Sequence, residues 1–238
     1  KCGYIIIEEY FIGKEIVIEG FVTDYKYHDL VIGDREYFNL PNLFIPSQTF
    51  FPSNLGIELQ NKITEANKSL IDNFKPRFGI THSEFIVNED TGEFRLVETA
   101  IRGGGVYISS DLIPLGCGVD VNDLLIDIVT GNEETVNFED EIIQQGSGYI
   151  CFYLPKGIIK SIHGVQKIRQ IKEVHKIYLD DICIGQKTDN ILDKTMRLGP
   201  ILIKGINRLA CNDTVDKIKN ILNIKVETNF GTKGICWQ

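Results

Sequence analysis

The stretch GITHSEFIVNEDTGEFRLVETAIRGGGVY, Gly79–Tyr107, decides how the rest of the chain is read. Ile80–Asn88 alternates well enough for a strand, and Glu93–Ala100 reads as its return. Asp90-Thr91-Gly92 suits a three-residue hairpin loop, because glycine takes the left-handed position without a steric penalty. With Glu89 opposite Glu93, that loop puts Glu84 opposite Glu98 on one sheet face. Two carboxylates that close repel, and one is driven to hold its proton unless a cation sits between them. Hard divalent cations such as Mg²⁺ take such oxygen ligands and share them with phosphates. His82 lies two residues before Glu84 and so points to the same face. Arg102 and Gly103-Gly104-Gly105 follow at once, a fixed positive fork and a backbone that an anion can approach. The spacing points to a magnesium–nucleotide or phosphoryl-transfer site. It leaves open a solvated hairpin of slipped register, in which both acids are ordinary surface.

The bulk composition narrows the surroundings of that hairpin. The 238 residues suffice for one large or two smaller domains, and 43% hydrophobic with 24% charged residues describes an ordinary globular protein. A net charge of −8 and a pI near 5.1 argue against nucleic-acid partners and against an anionic-membrane surface. No apolar run has the length of a transmembrane helix, and no signal peptide is visible. The six cysteines are scattered without a CxxC pair, which fits buried thiols in a reducing, cytoplasmic setting. The chain opens at Lys1 without Met and runs straight into the apolar Tyr4–Ile7, so a fragment is expected.

Outward from the hairpin, an α+β fold is expected. Residues 4–25 hold two apolar β-prone runs with a turn at Gly13-Lys14, and Glu8, Glu9 and Glu15 interrupt them. Strand pieces follow at Leu30–Ile32 and Tyr37–Leu40, with loops at Gly33-Asp34 and Pro41-Asn42. Pro46 and Pro52 mark a surface loop exposing Phe44, Phe50 and Phe51. A helix is expected from a cap at Ser53 or Asn54 to about Phe74, with Leu59, Ile63, Ala66, Leu70 and Phe74 as its stripe. A second helix over Val121–Thr130 starts at Asp120 and stops at Gly131. The division is a first unit at 1–131, an acidic linker at 132–147, and a β-rich module with a closing helix at 148–238. The short runs of 148–210 are expected to form a small antiparallel sheet packed on the first unit. Of the remaining histidines, His28, His163 and His175 read as surface or structural, and Lys204 and Arg208 as solvated.

Two motifs give this chain a family resemblance. They are Ile7-Glu8-Glu9-Tyr10-Phe11-Ile12-Gly13-Lys14-Glu15, and His82-x-Glu84 followed by Leu96-Val97-Glu98-Thr99-Ala100-Ile101-Arg102-Gly103-Gly104-Gly105. In this order they resemble the ATP-grasp superfamily, in its carboxylate–amine ligase branch, over most of residues 4–131. The tail at 148–210 is similar to the C-terminal β-rich module of carbamoyl-phosphate-synthase-like and biotin-carboxylase-like members. The resemblance implies that Glu8 and the backbone near Tyr10–Phe11 meet adenine and that Glu15 accepts from the ribose hydroxyls. It implies further that Glu84 and Glu98 hold Mg²⁺, with Mn²⁺ as a substitute, against the ATP phosphates. Arg102 then meets phosphate or substrate carboxylate, His82 donates to a phosphate or orients a carboxylate, and the amides at Gly103 and Gly104 steady negative charge. Many members carry Asn two residues after the second acid, where this chain has Ala100, as dipeptide-forming amino-acid ligases often do. The implied reaction is phosphoryl transfer from ATP to a carboxylate, followed by attack of an amine on the acyl phosphate. The partners are then a small carboxylate and a small amine; the sequence leaves the oligomeric state open, with a homodimer among the options. The resemblance lacks the phosphate-binding lysine subdomain, so this chain alone is expected to bind ATP poorly. A bicarbonate-activating carboxylase and a non-catalytic grasp module are the alternatives.

Overall fold

The computed structural model describes residues 3–132, 138 and 142–238. Eight strands make one antiparallel sheet: β1 Lys14–Thr23, β2 Lys26–Tyr37, β3 Pro46–Phe51, β4 Gly79–Asn88, β5 Glu93–Ala100, β6 Gly146–Phe152, β8 Val174–Ile177 and β10 Leu198–Gly205. Their order across the sheet is β5-β4-β1-β2-β3-β6-β10-β8. A four-stranded sheet, β12-β11-β7-β9, packs beside it, built from β7 Gly157–His163, β9 Lys187–Thr188, β11 Asn223–Thr228 and β12 Gly231–Lys233. The helices are α1 Ile57–Phe74, α2 Ile113–Cys117, α3 Val121–Thr130, α4 Val165–Arg169 and α5 Arg208–Ile221. None of the described helices is long and apolar enough to cross a membrane. The fold is α+β, as the patterning implies.

Several elements differ from the sequence reading, each for a physical reason. Residues 4–12 form no strand; Tyr4, Ile5, Ile6, Ile7, Tyr10 and Ile12 lie exposed because no described strand offers them a ladder. The first hairpin turn is Asp24-Tyr25, both at positive φ (46° and 65°), as a two-residue turn between right-twisted strands requires. Gly33 is not a loop. A Cβ there would sit 2.5 Å from the Phe51 ring, so the glycine lets strand β3 approach a continuous β2. Phe50 and Phe51 are buried within β3, and of the three aromatics expected at the surface only Phe44 is exposed. Helix α1 buries Ile63, Asn67 and Ile71, with Asn67 donating to Tyr27 Oη at 2.7 Å, while Phe74 is exposed. Ser53 accepts from Leu55 N and donates to Asp34 rather than capping the helix. The acidic stretch at 133–137 and 139–141 lies outside the described residues.

The largest difference concerns residues 148–210. They were expected to form their own small sheet, yet β6, β10 and β8 extend the main sheet, because β6 pairs along β3 from Gln48↔Ile150 to Phe51↔Ser147. Ser47, Thr49 and Phe51 thereby stay on one sheet face across the join. The closing helix starts at Arg208, capped by Asn207, which accepts from Ala210 N at 2.9 Å. Arg208 is buried rather than solvated. It donates to Phe50 O and Pro52 O, both at 3.0 Å, and pairs with Asp34 at 3.0 Å. One sheet face packs α1 and α5 over Ile16, Ile18, Phe50, Ile150 and Ile203. The other packs α2 and α3 over Phe21, Phe51 and Leu202, and farther along β1, β2 and β4 it carries charged side chains.

Candidate functional site

The hairpin between β4 and β5 reaches the expected pairing by a different route. Its loop is four residues long, closed by Asn88↔Glu93, with Asn88 Oδ1 accepting from Asp90 N and Thr91 N at 3.0 and 3.1 Å. That register alone would offset the two acids. A β-bulge at Val97, between the pairs Phe85↔Leu96 and Glu84↔Glu98, restores them to opposite positions. Ligand atoms of His82, Glu84 and Glu98 lie within 4.8 Å of one another.

Strand β1 lies on the other side of β4, with Val17 opposite Glu84 and Glu19 opposite His82. Strand β2 brings Arg35 opposite Glu15. Alternation places Glu15, Glu19, Arg35, His82 and Glu84 on one face. Arg35 bridges the two acids, pairing with Glu15 at 2.6 Å and more closely with Glu84. Tyr37 donates to Glu15. His82 Nε2 lies 2.9 Å from Glu84, and its Nδ1 is hydrogen-bonded to Glu19, whose other oxygen accepts from Gly104 N at 3.3 Å. The buried chain of contacts therefore runs Tyr37–Glu15–Arg35–Glu84–His82–Glu19–Gly104. Glu98 stands at its open end, half exposed, and accepts from Arg102 at 3.3 Å.

Carboxylate oxygens only accept, so an imidazole held between two of them donates from both nitrogens. Burial works against the charged form of His82, but the hydrogen bonds to Glu19 and Glu84 outweigh it and push its pKa up to about 9. Burial likewise raises Glu84, yet His82 and Arg35 override it and hold the carboxyl near 2. Glu15 and Glu19 are pushed up, burial being the leading cause in each. A histidine raised by folding contributes stability that is complete below its ordinary 6.5 and is lost as pH rises through about 9. Urea unfolding at about pH 6 and about pH 10 is therefore expected to differ by up to roughly 3 kcal/mol more in the native chain than in His82→Gln. Equal pH dependence in the two proteins would contradict the charged imidazole.

The other residues singled out in the sequence spread around this chain of contacts. Tyr10, Phe11 and Glu15 line one cavity of about 480 Å³ with Arg35, Tyr37 and Phe44. Phe11 also receives the Arg95 guanidinium at 4.9 Å from its ring centroid. Glu8 is not among the cavity's lining residues; it lies on the exposed stretch before β1. Gly103 and Gly104 sit over β4 and β1, where a Cβ on either would lie 2.5 Å from Ser109 or Glu19. The Gly104 amide is engaged by Glu19. Three residues of the site escaped the sequence reading: Arg35, Glu19 and Tyr37. A carboxylate of the same parity as Glu15 within the apolar run Ile16–Phe21 was the available signal for Glu19.

The donor set fits a hard cation. Glu84 Oε1 carries both the Arg35 and the His82 contacts, and Glu98 Oε1 the Arg102 contact, so each acid keeps a second oxygen for a metal. No family model matches the chain, and no curated protein matches it by sequence. Solved structures do share its fold. An L-amino acid ligase from Bacillus licheniformis superposes with a TM-score of 0.78 at 21% identity, over 92% of this chain and 55% of that one. A phosphoribosylglycinamide synthetase from Anaerococcus prevotii gives 0.74 at 16% identity, over 91% and 54%. A pyruvate carboxylase from Rhizobium etli gives 0.63 at 15%, over 89% and 21%. The chain thus spans about half the length of the first two.

Proposed function

We propose, for a chain with the C-terminal part of the ATP-grasp fold, that it supplies one half of an ATP- and Mg²⁺-dependent ligase joining a carboxylate, an amino acid, to an amine. The observation that carries this reading is the meeting of His82, Glu84 and Glu98 within 4.8 Å, on the sheet face that also turns Glu15 toward a 480 Å³ cavity. Glu84 and Glu98 would hold the cation, which when bound offsets phosphate charge. The chain's own groups do the rest. Tyr10 and Phe11 offer aromatic faces to a base, and Glu15 accepts from hydroxyls beside it. Arg102, half exposed, pairs with Glu98 and donates to Gly103 O at 3.0 Å, and would turn from them to a phosphate or a substrate carboxylate. Positioning and charge neutralisation suffice for phosphoryl transfer to a carboxylate, with no covalent enzyme group.

The test is ADP release by the protein that carries this chain, with Mg²⁺ and ATP, against single amino acids, amino-acid pairs and bicarbonate. Release that requires an amino acid and rises with a second amine supports the reading. Release driven by bicarbonate alone assigns the chain to a carboxylase, and no release with any of them assigns it to a non-catalytic module.

A further inference from the structure

Gly104 is held to glycine by a carboxylate from another strand. A Cβ at this position would lie 2.5 Å from Glu19 Oε1 and 3.0 Å from His82 Nδ1. Glu19 is fully buried within β1, between Ile18 and Gly20 and two residues from Val17 and Phe21. A carboxylate in such a setting is costly unless each oxygen is satisfied, and an apolar side chain would serve stability as well. Both Glu19 oxygens are engaged, and both partners belong to the site. One accepts the Gly104 amide at 3.3 Å, and the other holds His82 Nδ1. The opposite ring nitrogen of His82 then fixes Glu84 at 2.9 Å. A single buried side chain thus ties the glycine turn after β5 to β1 and, through the imidazole, to the acid on β4.

We propose that Glu19 is a positioning residue for the cation site: it orients Glu84 through His82 and, by the same carboxylate, fixes the Gly103–Gly105 turn against that acid. The proposal rests on Glu84 and Glu98 binding a divalent cation, as inferred above. Its content is that the glycine stretch after β5 and the cation-holding acid move as one unit. Glutamine at position 19 keeps the shape but presents an amide to one of two donors, so either Gly104 N–H or His82 Nδ1–H loses its acceptor. Alanine at position 104 keeps every polar group and displaces Glu19 by a methyl.

Mn²⁺ titration of this chain, followed by the electron paramagnetic resonance of the free ion, tests this with Glu19→Gln, Gly104→Ala, their double variant and Glu98→Gln. Groups that orient metal ligands typically change affinity by about 10–100-fold. Both single variants are expected to weaken Mn²⁺ binding by that range, and the double variant no further than the weaker single, since both break one contact. If Glu98→Gln weakens binding while Glu19→Gln and Gly104→Ala match the native chain, the positioning role is overturned and the cation site stands. If Glu98→Gln binds Mn²⁺ as the native chain does, the cation reading falls and the proposal with it. If both single variants lose a cooperative melt, Glu19 serves the fold alone and the proposal is again overturned.

Discussion

Arg35→Met is expected to lower the unfolding free energy by about 3–5 kcal/mol, the usual cost of removing one partner from a buried ion pair. Arg35 is 11% exposed and lies between Glu15 and Glu84, themselves 10% and 15% exposed. Methionine fills a similar volume, so the loss is one of charge. Burial already pushes Glu15 up, opposed first by Tyr37 and then by Arg35. Without the guanidinium, Glu15 keeps Tyr37 and Glu84 keeps His82 as their partners among the described residues. Two acids on the adjacent strands β1 and β4 would then share one low-dielectric face. Arg35→Met with Glu15→Gln should recover part of the loss, because the amide needs no counter-charge. Urea unfolding measures both variants. A loss under about 1 kcal/mol for Arg35→Met would mean that water reaches these acids and the network is not a buried one.

Glu98→Gln is expected to do the reverse, sparing the fold and removing the chemistry. On the proposed function, ADP formation in the protein that carries this chain should fall at least about a hundredfold, close to 3 kcal/mol of barrier, because a carboxylate that would hold the cation is replaced by a neutral amide. Stability should move by less than about 0.5 kcal/mol, since Glu98 is 52% exposed and Arg102, with which it pairs, is 55% exposed. Turnover and melting temperature on the same preparation separate the two effects. A variant that keeps its turnover would remove Glu98 from the site.

How much of this was legible in the sequence differs from element to element. The pairing of Glu84 with Glu98 was, because alternation on two strands and a short polar loop define a face. The loop length was misjudged by one residue, and the bulge at Val97 compensated for it. A bulge has no marker in alternation, so the agreement depended on a feature the pattern does not display. Strand β2 was read as fragments because Gly33 looks like a turn residue. Its glycine serves the close approach of Phe51, a long-range fact. Arg35 was lost with it, in the gap between the two strand pieces. Glu19 was passed over for a different reason: a glutamate between apolar neighbours looks like the outward half of an alternating strand. Whether that outward face is solvent or a second charged layer depends on β4, more than sixty residues away in the chain. The apolar run at residues 4–12 had the composition of a strand, but pairing is a property of two segments, and none of the described strands meets it.

The seam between β3 and β6 has a consequence for how the molecule folds and fails. Backbone hydrogen bonds from Gln48 to Phe51 are completed only by residues 147–150, which lie about a hundred positions later. Arg208, later still, fastens the carbonyls of Phe50 and Pro52. The central strand pairs therefore close late, at high loop-closure entropy. Until β6 arrives, β3 presents Thr49, Phe50 and Phe51 along an unpaired edge, a template for pairing with another chain. Aggregation in this protein is thus a matter of timing, set by the interval between making β3 and covering it.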